Sequence, residues 1–287
     1  KSSLEIKKIS LLNSRVIVKK ETSKLNVDWL LKKSIISINQ QKYALTGEGF
    51  SNKLFVDSIN YMDGKNFNIA SKIDIKQDTI KILESKFNIQ KVLFDIKGNI
   101  ANSNNIDLKI NVNKQDINKI ITHLPKKLKD ITSEFTVAGK ITLNGSIKGI
   151  IDKENNPFLD MRYLINGGAI KFKNNTFELS DIQMKGVLNN GDSKNLNSTQ
   201  IKTDIFKAQT RNGDIDGKFT LQNMNSYFLD AEFKSSWDLS EVNQYFDKSN
   251  FMKLKGKIFT NTIYQGNIAT DSQFKTMFLN AYHKSDI

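Results

Sequence analysis

The sequence predicts a mainly β chain, an extended antiparallel sheet with a few short amphipathic helices. Three observations predict it. Apolar and polar residues alternate with period two in run after run, the spacing that sends successive side chains to opposite faces of a strand. Turn-forming dipeptides punctuate those runs at Asp63-Gly64, Asn166-Gly167, Asn190-Gly191 and Asn212-Gly213. Stretches with helical periodicity are few and short.

From the N-terminus, the first 91 residues give short alternating pairs at Leu54/Val56, Phe67/Ile69, Ile73/Ile75, Ile80/Ile82 and Phe87/Ile89. Residues 24–33, KLNVDWLLKK, are expected to form a short helix. Longer runs follow at Val92, Phe94, Ile96, Gly98 and Ile100, then at Ile106, Leu108, Ile110 and Val112. Residues 114–128 predict a helix with Asp116 as N-cap, an apolar face of Ile117, Ile120, Ile121 and Leu124, and Pro125 as its stop. The clearest alternation is 135–149, where Phe135, Val137, Ile141, Leu143 and Ile147 share a side with three glycines, Gly139, Gly145 and Gly149. Asn144-Gly145 offers a hairpin turn in its middle, and the unbroken alternation offers one long strand instead. Further strands are expected at Ile182–Leu188, Ile215–Leu221 and Tyr227–Trp237. A second short helix is expected over 238–247, capped by Asp238 or Ser240, with Leu239, Val242, Tyr245 and Phe246 as its face. The polar stretch 190–200 is expected to be a mobile loop.

Composition bounds the function. The chain has 287 residues, 38% of them hydrophobic. Typical globular domains are about 45–50% apolar with glycine included. That thinner apolar content suits an extended sheet better than a compact ball. No stretch approaches the ~18 consecutive apolar residues of a membrane-spanning helix. A chain numbered from Lys1 is expected to be a processed form or an excised piece, with any membrane anchor upstream. Cysteine is absent, which excludes disulfides and thiolate chemistry. The net charge is +13, yet arginine occurs only at Arg15, Arg162 and Arg211. Nucleic-acid readers favour arginine's planar fork, and the lysines here are spread along the whole chain. A solvated lysine-rich surface is expected, with attraction to anionic headgroups as the functional alternative, and no nucleic-acid partner.

Reactive constellations are missing from the sequence. His123 and His283 are the only histidines and lack metal-ligand spacing. The glycines, Gly167-Gly168 among them, lack the Lys-Ser/Thr of a phosphate loop, and no G-x-S-x-G elbow occurs. Asp214, Asp216, Asp230 and Glu232 fall on the polar side of their strand alternation, where a solvated strand face explains them. Trp29 and Trp237 are expected as packing anchors where a strand meets a helix. No enzyme, metal or cofactor is expected.

An internal repeat is visible. AGKITLNGSIKG from Ala138 aligns with KGKIFTNTIYQG from Lys255, pairing Gly139 with Gly256, Ile141 with Ile258 and Gly149 with Gly266. In each copy a strand, an aspartate and a short helix stand upstream, giving a unit of roughly 120 residues whose last copy is cut short. The order FDIKGNIANSNNIDLKINVNKQDINKIITHLP, FTVAGKITLNGSIKGII, NPFLDMRYLINGGAIKF, FELSDIQMKGVLNNG and DIDGKFTLQ resembles the AsmA-like family of bacterial envelope proteins, related in architecture to TamB and chorein-like bridge proteins. The stretch LINGGAIKF…LSDIQMKG carries most of that resemblance. It covers about 92–266, so 92–287 is expected as an AsmA-like β-repeat region after a β-rich segment 1–91.

The resemblance implies a curved, groove-like sheet with an apolar lining. It also implies a periplasmic location tethered to the inner membrane through an anchor outside this chain, and a role in phospholipid transport or outer-membrane homeostasis. Phospholipid or another acyl-chain lipid is the implied partner. The candidate lipid-facing positions are Phe94, Ile96, Leu108 and Ile110 in the first long runs. Val137, Ile141, Leu143 and Ile147 follow, then Phe219, Leu221, Leu229 and Phe233. The alternative is a structural or adhesive β-repeat that binds protein or glycan, with its sheet closed as a sandwich.

Overall fold

In the computed structural model the chain is mainly β and antiparallel. The described residues are 5–21, 25–56, 59–60, 62–101, 104–121, 135–152, 154–173, 178–242, 255–268 and 282–286. Strands β1 (Lys8–Lys20), β2 (Leu25–Asn39), β3 (Lys42–Val56), β4 (Ile59–Asn60), β5 (Lys65–Lys76), β6 (Thr79–Ile89), β7 (Val92–Ala101) and β8 (Asn105–Asp116) come first. A one-turn helix α1 (Ile117–Ile121) leads to β9 (Phe135–Ile150). Then follow β10 (Phe158–Phe172), β11 (Glu178–Asn189), β12 (Gln200–Gln209), β13 (Asp214–Gln222) and β14 (Phe228–Asp238). A second turn of helix, α2 (Leu239–Val242), precedes β15 (Lys257–Asn267) and β16 (Tyr282–Asp286). The strands neighbour one another in chain order, with the short β4 set aside on β3. The second sheet that a sandwich needs is absent among the described residues.

Contacts divide the chain into two compact units. Unit 1 holds residues 1–132 and 142–159; unit 2 holds 133–141 and 160–287. Each unit is a meander, the antiparallel topology that tight turns allow.

Both helix caps form as the sequence predicts. Asp116 Oδ1 accepts from the Asn118 amide at 3.0 Å, and Asp238 Oδ1 from the Ser240 amide at 2.8 Å. The expected helices extend beyond α1 and α2, and Leu124, Pro125, Tyr245 and Phe246 lie outside the described residues. The repeated order of strand, aspartate, helix and strand is present twice, as β8-α1-β9 and β14-α2-β15.

Three expectations are corrected. Residues 24–33 form strand in β2, not helix, from Leu25 onward. Val27, Trp29 and Leu31 alternate along it. Leu30 on the opposite face is 42% exposed, and this outward leucine gives the sequence its false helical look. The loop after β11 is tied down. Ser198 Oγ donates to Asn190 O at 2.6 Å, Thr199 Oγ1 to Asn195 O at 2.7 Å, and Asn225 Nδ2 to Asn197 Oδ1 at 2.7 Å. Short polar side chains satisfy the backbone locally in this way. Of the Asn/Asp-Gly pairs, Asn212-Gly213 turns between two paired strands, and Asn190-Gly191 opens the longer tied loop. Asn166-Gly167 lies inside β10 at a shift of register, and Asp63-Gly64 precedes β5. Residues 135–150 are one uninterrupted strand through Asn144-Gly145.

The tight turns of unit 1 use residues no turn rule flags. Ile89 pairs with Val92 across Gln90 and Lys91, whose φ angles are 45° and 74°. Two left-handed residues in a two-residue loop favour Asn-Gly, and an L-residue there costs roughly 1–2 kcal/mol. The double substitution Gln90→Asn/Lys91→Gly should therefore stabilise unit 1 by about 1 kcal/mol, seen as a raised urea midpoint with an unchanged slope.

Candidate functional site

One face of unit 1 is apolar, and the registers show why. Across β3, β5, β6 and β7, Gly47, Ile69, Phe87 and Phe94 lie in one row. Gly49, Phe67, Ile89 and Val92 make the next row, and Leu31 of β2 joins it opposite Gly49. Towards the other strand ends, Tyr43, Ile73, Ile82, Gly98 and Leu108 share a row.

That face is concave. Neighbouring strands stand about 4.8 Å apart, so a flat sheet would hold side chains of β2 and β6 roughly 14 Å apart. The ring centroids of Trp29 on β2 and Phe87 on β6 are 6.4 Å apart, with Phe67 at 4.8 Å from the first and 5.8 Å from the second. The sheet therefore bends around its apolar side.

Among the described residues the concave face is sealed at one end only. Val27, Phe67, Ile89, Val92 and Val112 are buried at the strand ends nearest α1, together with Ile117 of α1 itself. Met62, just before β5, closes over Phe67 and Ile89, and Ser51 Oγ donates to its carbonyl at 2.8 Å. At the opposite strand ends Ile36, Ile38, Tyr43, Ile75, Ile80, Ile100 and Ile106 all stay half-buried. Small polar groups line the waist between the two ends: Ser34 Oγ donates to Thr46 O at 3.2 Å, and the Ser71 and Ser85 hydroxyls bond to each other at 2.6 Å.

Unit 2 has its own concave apolar face. Phe206 and Phe233 lie on β12 and β14, two strand spacings or roughly 10 Å apart in a flat sheet, yet their ring centroids are 5.8 Å apart. Phe219 packs 6.1 Å from Phe206 and 6.3 Å from Phe233. At one side of this face the Tyr163 hydroxyl reaches across Gly186 and bonds the Thr203 hydroxyl at 2.5 Å. Burial pushes the Tyr163 phenol up, so it stays neutral and acts as a buried hydrogen-bonding group.

The opposite faces are mainly polar, with Leu12, Ile17 and Leu30 in unit 1 and Leu164 and Ile205 in unit 2 as exposed apolar positions among the charges. Asp216 meets Lys207 at 3.3 Å and Glu232 meets Lys218 at 2.9 Å, while Gln265 donates to Asp230 at 3.3 Å and Ser236 bonds Asp214. These carboxylates lie on the solvated strand face the sequence predicts. In unit 1, Asp28 is buried beneath the Arg15 fork, which donates to both its oxygens at 2.9 and 2.7 Å. Those bonds, with a further one from Asn52, hold the Asp28 carboxyl at about 2 against the opposing effect of burial.

All twelve sequence-predicted positions are half-buried. Phe94, Ile96, Leu108 and Ile110 fall on the concave face of unit 1, with Ile96 opposite Ile110. Leu143 and Ile147 belong to the part of β9 in unit 1, and Val137 and Ile141 to the part in unit 2. Phe219, Leu221, Leu229 and Phe233 lie together on the concave face of unit 2, with Leu221 opposite Leu229. Sequence reasoning missed Met62, Trp29, Phe67 and Phe87 as one cluster, along with Phe206 and the Tyr163–Thr203 pair. Trp237 stands one residue before the end of β14 and donates to Ser235 Oγ at 2.7 Å, at the strand–helix junction expected of it; Trp29 lies within β2 instead. His283 is in β16 opposite Tyr264, and His123 lies outside the described residues. Among the described residues no group of three or more His, Cys, Asp or Glu gathers to hold a metal. No helix among them is long and apolar enough to cross a membrane.

Comparison with protein-family models, with curated proteins and with solved structures finds no match to this chain.

Proposed function

We propose that this chain holds the acyl chains of phospholipid or a similar lipid along its concave apolar strand faces. It does so as a segment of a periplasmic envelope protein, tethered to the inner membrane through an anchor outside this chain and serving phospholipid transport or outer-membrane homeostasis. The carrying observation is that both concave faces are lined by apolar side chains that stay half-exposed, Ile96, Leu108 and Ile110 in one and Phe219, Leu221 and Phe233 in the other. Water against such a face is unfavourable. Each methylene moved from water onto it gains about 0.8 kcal/mol without any polar contact, which explains why no reactive motif marks the site. The resemblance to AsmA-like proteins supports the same reading and supplies its cellular setting. The single sheet with solvated opposite faces favours it over an adhesive sandwich.

Native mass spectrometry of the purified chain, with extraction and identification of bound lipid, tests this. Phospholipid should travel with the chain. The double variant Ile96→Asp/Leu108→Asp should lose at least about tenfold of that load, the worth of two displaced methylenes, with its circular dichroism unchanged. A lipid-free native chain, or a variant that keeps its full load, would sink the proposal.

A further inference from the structure

We infer that two hydroxyl pairs set into the concave faces, Ser71–Ser85 in unit 1 and Ser235–Thr260 in unit 2, hydrogen-bond the ester carbonyl of an acyl lipid. This recognition rests on the lipid-holding function proposed above and fixes which part of the lipid each face reads. Ser71 and Ser85 stand directly opposite each other on β5 and β6, with oxygens 2.6 Å apart. Their row continues to Leu45 on one side and to Ile96 and Ile110 on the other. Every other concave pair across these two strands joins isoleucine to isoleucine or to phenylalanine, from Phe67 opposite Ile89 to Ile75 opposite Ile80. Unit 2 has the same arrangement. Ser235 of β14 faces Thr260 of β15 at 2.7 Å, in a row that continues to Ile215 and Ala208, on the face that carries Leu229 and Phe233.

Cross-strand hydroxyl pairs are ordinary on a solvated sheet face. On an apolar face they forgo the burial that an isoleucine would gain, and they bring an unmet need. Two hydroxyls carry two protons, and the bond between them uses one. Among the described residues neither Ser71 nor Ser85 makes another side-chain hydrogen bond. One proton is therefore left to donate into the groove. Ser85 is 7% exposed and Ser71 half-buried; with Ser85 donating, the spare proton sits on Ser71 and faces the occupant. At the second pair the Trp237 indole N–H also donates to Ser235 Oγ, at 2.7 Å. That pair too holds one proton more than its own acceptors use.

A spare donor on an uncharged face selects a neutral acceptor. The concave pairs from Phe67–Ile89 to Ile75–Ile80 hold no cation. A phosphate or a free carboxylate brought there would lose its water with no charge to replace it. An ester carbonyl has less hydration to lose and gains the bond. In a diacyl lipid the carbonyls adjoin the acyl chains. One molecule thus lays its methylenes on the isoleucines and its carbonyl on the serines, while its headgroup stays in water.

The test offers the delipidated full chain an equimolar mixture of a diester phosphatidylcholine and its diether analogue of the same chain length. Native mass spectrometry counts what is bound. The diester should be preferred about fivefold, the worth of one net hydrogen bond. Ser71→Ala/Ser85→Ala should lower that preference, and adding Ser235→Ala/Thr260→Val should abolish it. Diether load should stay at least that of the parent, because methyl groups replace hydroxyls on an apolar face, and this load also reports that the variant is folded. Equal loading of the two lipids by the parent, or a preference that survives all four substitutions, would overturn the carbonyl assignment and leave the lipid-holding function standing. A parent that takes up neither lipid would remove both. The parent's ratio decides even where the variant fails to fold. Methyl oleate should also outcompete oleate at about pH 8, where the acid is ionised; the reverse order would give the hydroxyl pairs to a carboxylate and overturn the ester.

Discussion

Phe67→Ala should cost unit 1 about 3–5 kcal/mol, the ordinary range for removing a large aromatic from a core. Phe67 is 1% exposed and sits between Trp29 and Phe87, under Met62. It also covers Gly49 on the neighbouring strand, where a Cβ would stand 2.9 Å from its Cζ. Truncation removes the central ring of the cluster and uncovers the glycine backbone beneath it. The strands are held by the sheet on either side, so the site cannot collapse to fill the gap. Domains are commonly stable by only about 5–15 kcal/mol, so the variant loses a large share of what unit 1 has. The tryptophans allow the effect to be placed. Trp29 lies in unit 1 and Trp237 in unit 2, so urea unfolding of a Trp237→Phe background follows unit 1 through Trp29 alone. A loss below 1 kcal/mol would show that the sealed end is not the core of unit 1.

That cluster marks the limit of what the sequence discloses. Period-two alternation is a local property, fixed by the pleat, and it placed the apolar positions of β7, β8, β13 and β14 on their proper faces. At Asn144-Gly145 it left a hairpin and one long strand both open, and the structure takes the long strand. Where both faces of a strand carry apolar residues the signal fails, as at Trp29-Leu30-Leu31, because alternation disappears and the run imitates a helix. Turns were legible only where they use Asn-Gly chemistry; Gln90-Lys91 turns because the paired strands impose it. Concavity was not legible from spacing at all. Rings three strands apart in the sheet converge only because many small increments of bend accumulate, and no single residue encodes that. The apolar face was therefore readable as a list of alternating positions, while its closed end at Met62 and its open end at Ile38 and Ile106 were not.

In unit 2 the pairing of β11 with β12 leaves no room for a side chain at Gly186. Gly186→Val should destabilise that unit by roughly 3 kcal/mol or more, at the upper end of what overpacking costs. A Cβ on Gly186 would stand 2.0 Å from the Lys202 carbonyl oxygen, 2.5 Å from the Tyr163 hydroxyl and 2.7 Å from Tyr163 Cζ. The tyrosine could swing aside, but the carbonyl is backbone of the adjoining strand and cannot yield without breaking the pairing of β11 with β12. If the ring does swing, the bond from Tyr163 to Thr203 is lost, and Thr203 is left with a buried hydroxyl at 1% exposure. An unpaired buried polar group costs about 1–3 kcal/mol. Tyr163→Phe removes only the hydroxyl and leaves the ring over the glycine, so it should cost about 1–3 kcal/mol, that of the unpaired Thr203 hydroxyl, and no more. The two variants thus separate the close approach from the hydrogen bond. Unfolding followed through Trp237 in a Trp29→Phe background reads both, and a Gly186→Val chain as stable as the parent would mean that the strands at this point are farther apart than the pairing requires. The same substitution bears on function. A valine here raises the floor of the concave face beside Met161 and Thr203, so under the lipid-holding function proposed above the load of unit 2 should fall along with stability, while that of unit 1 should not change.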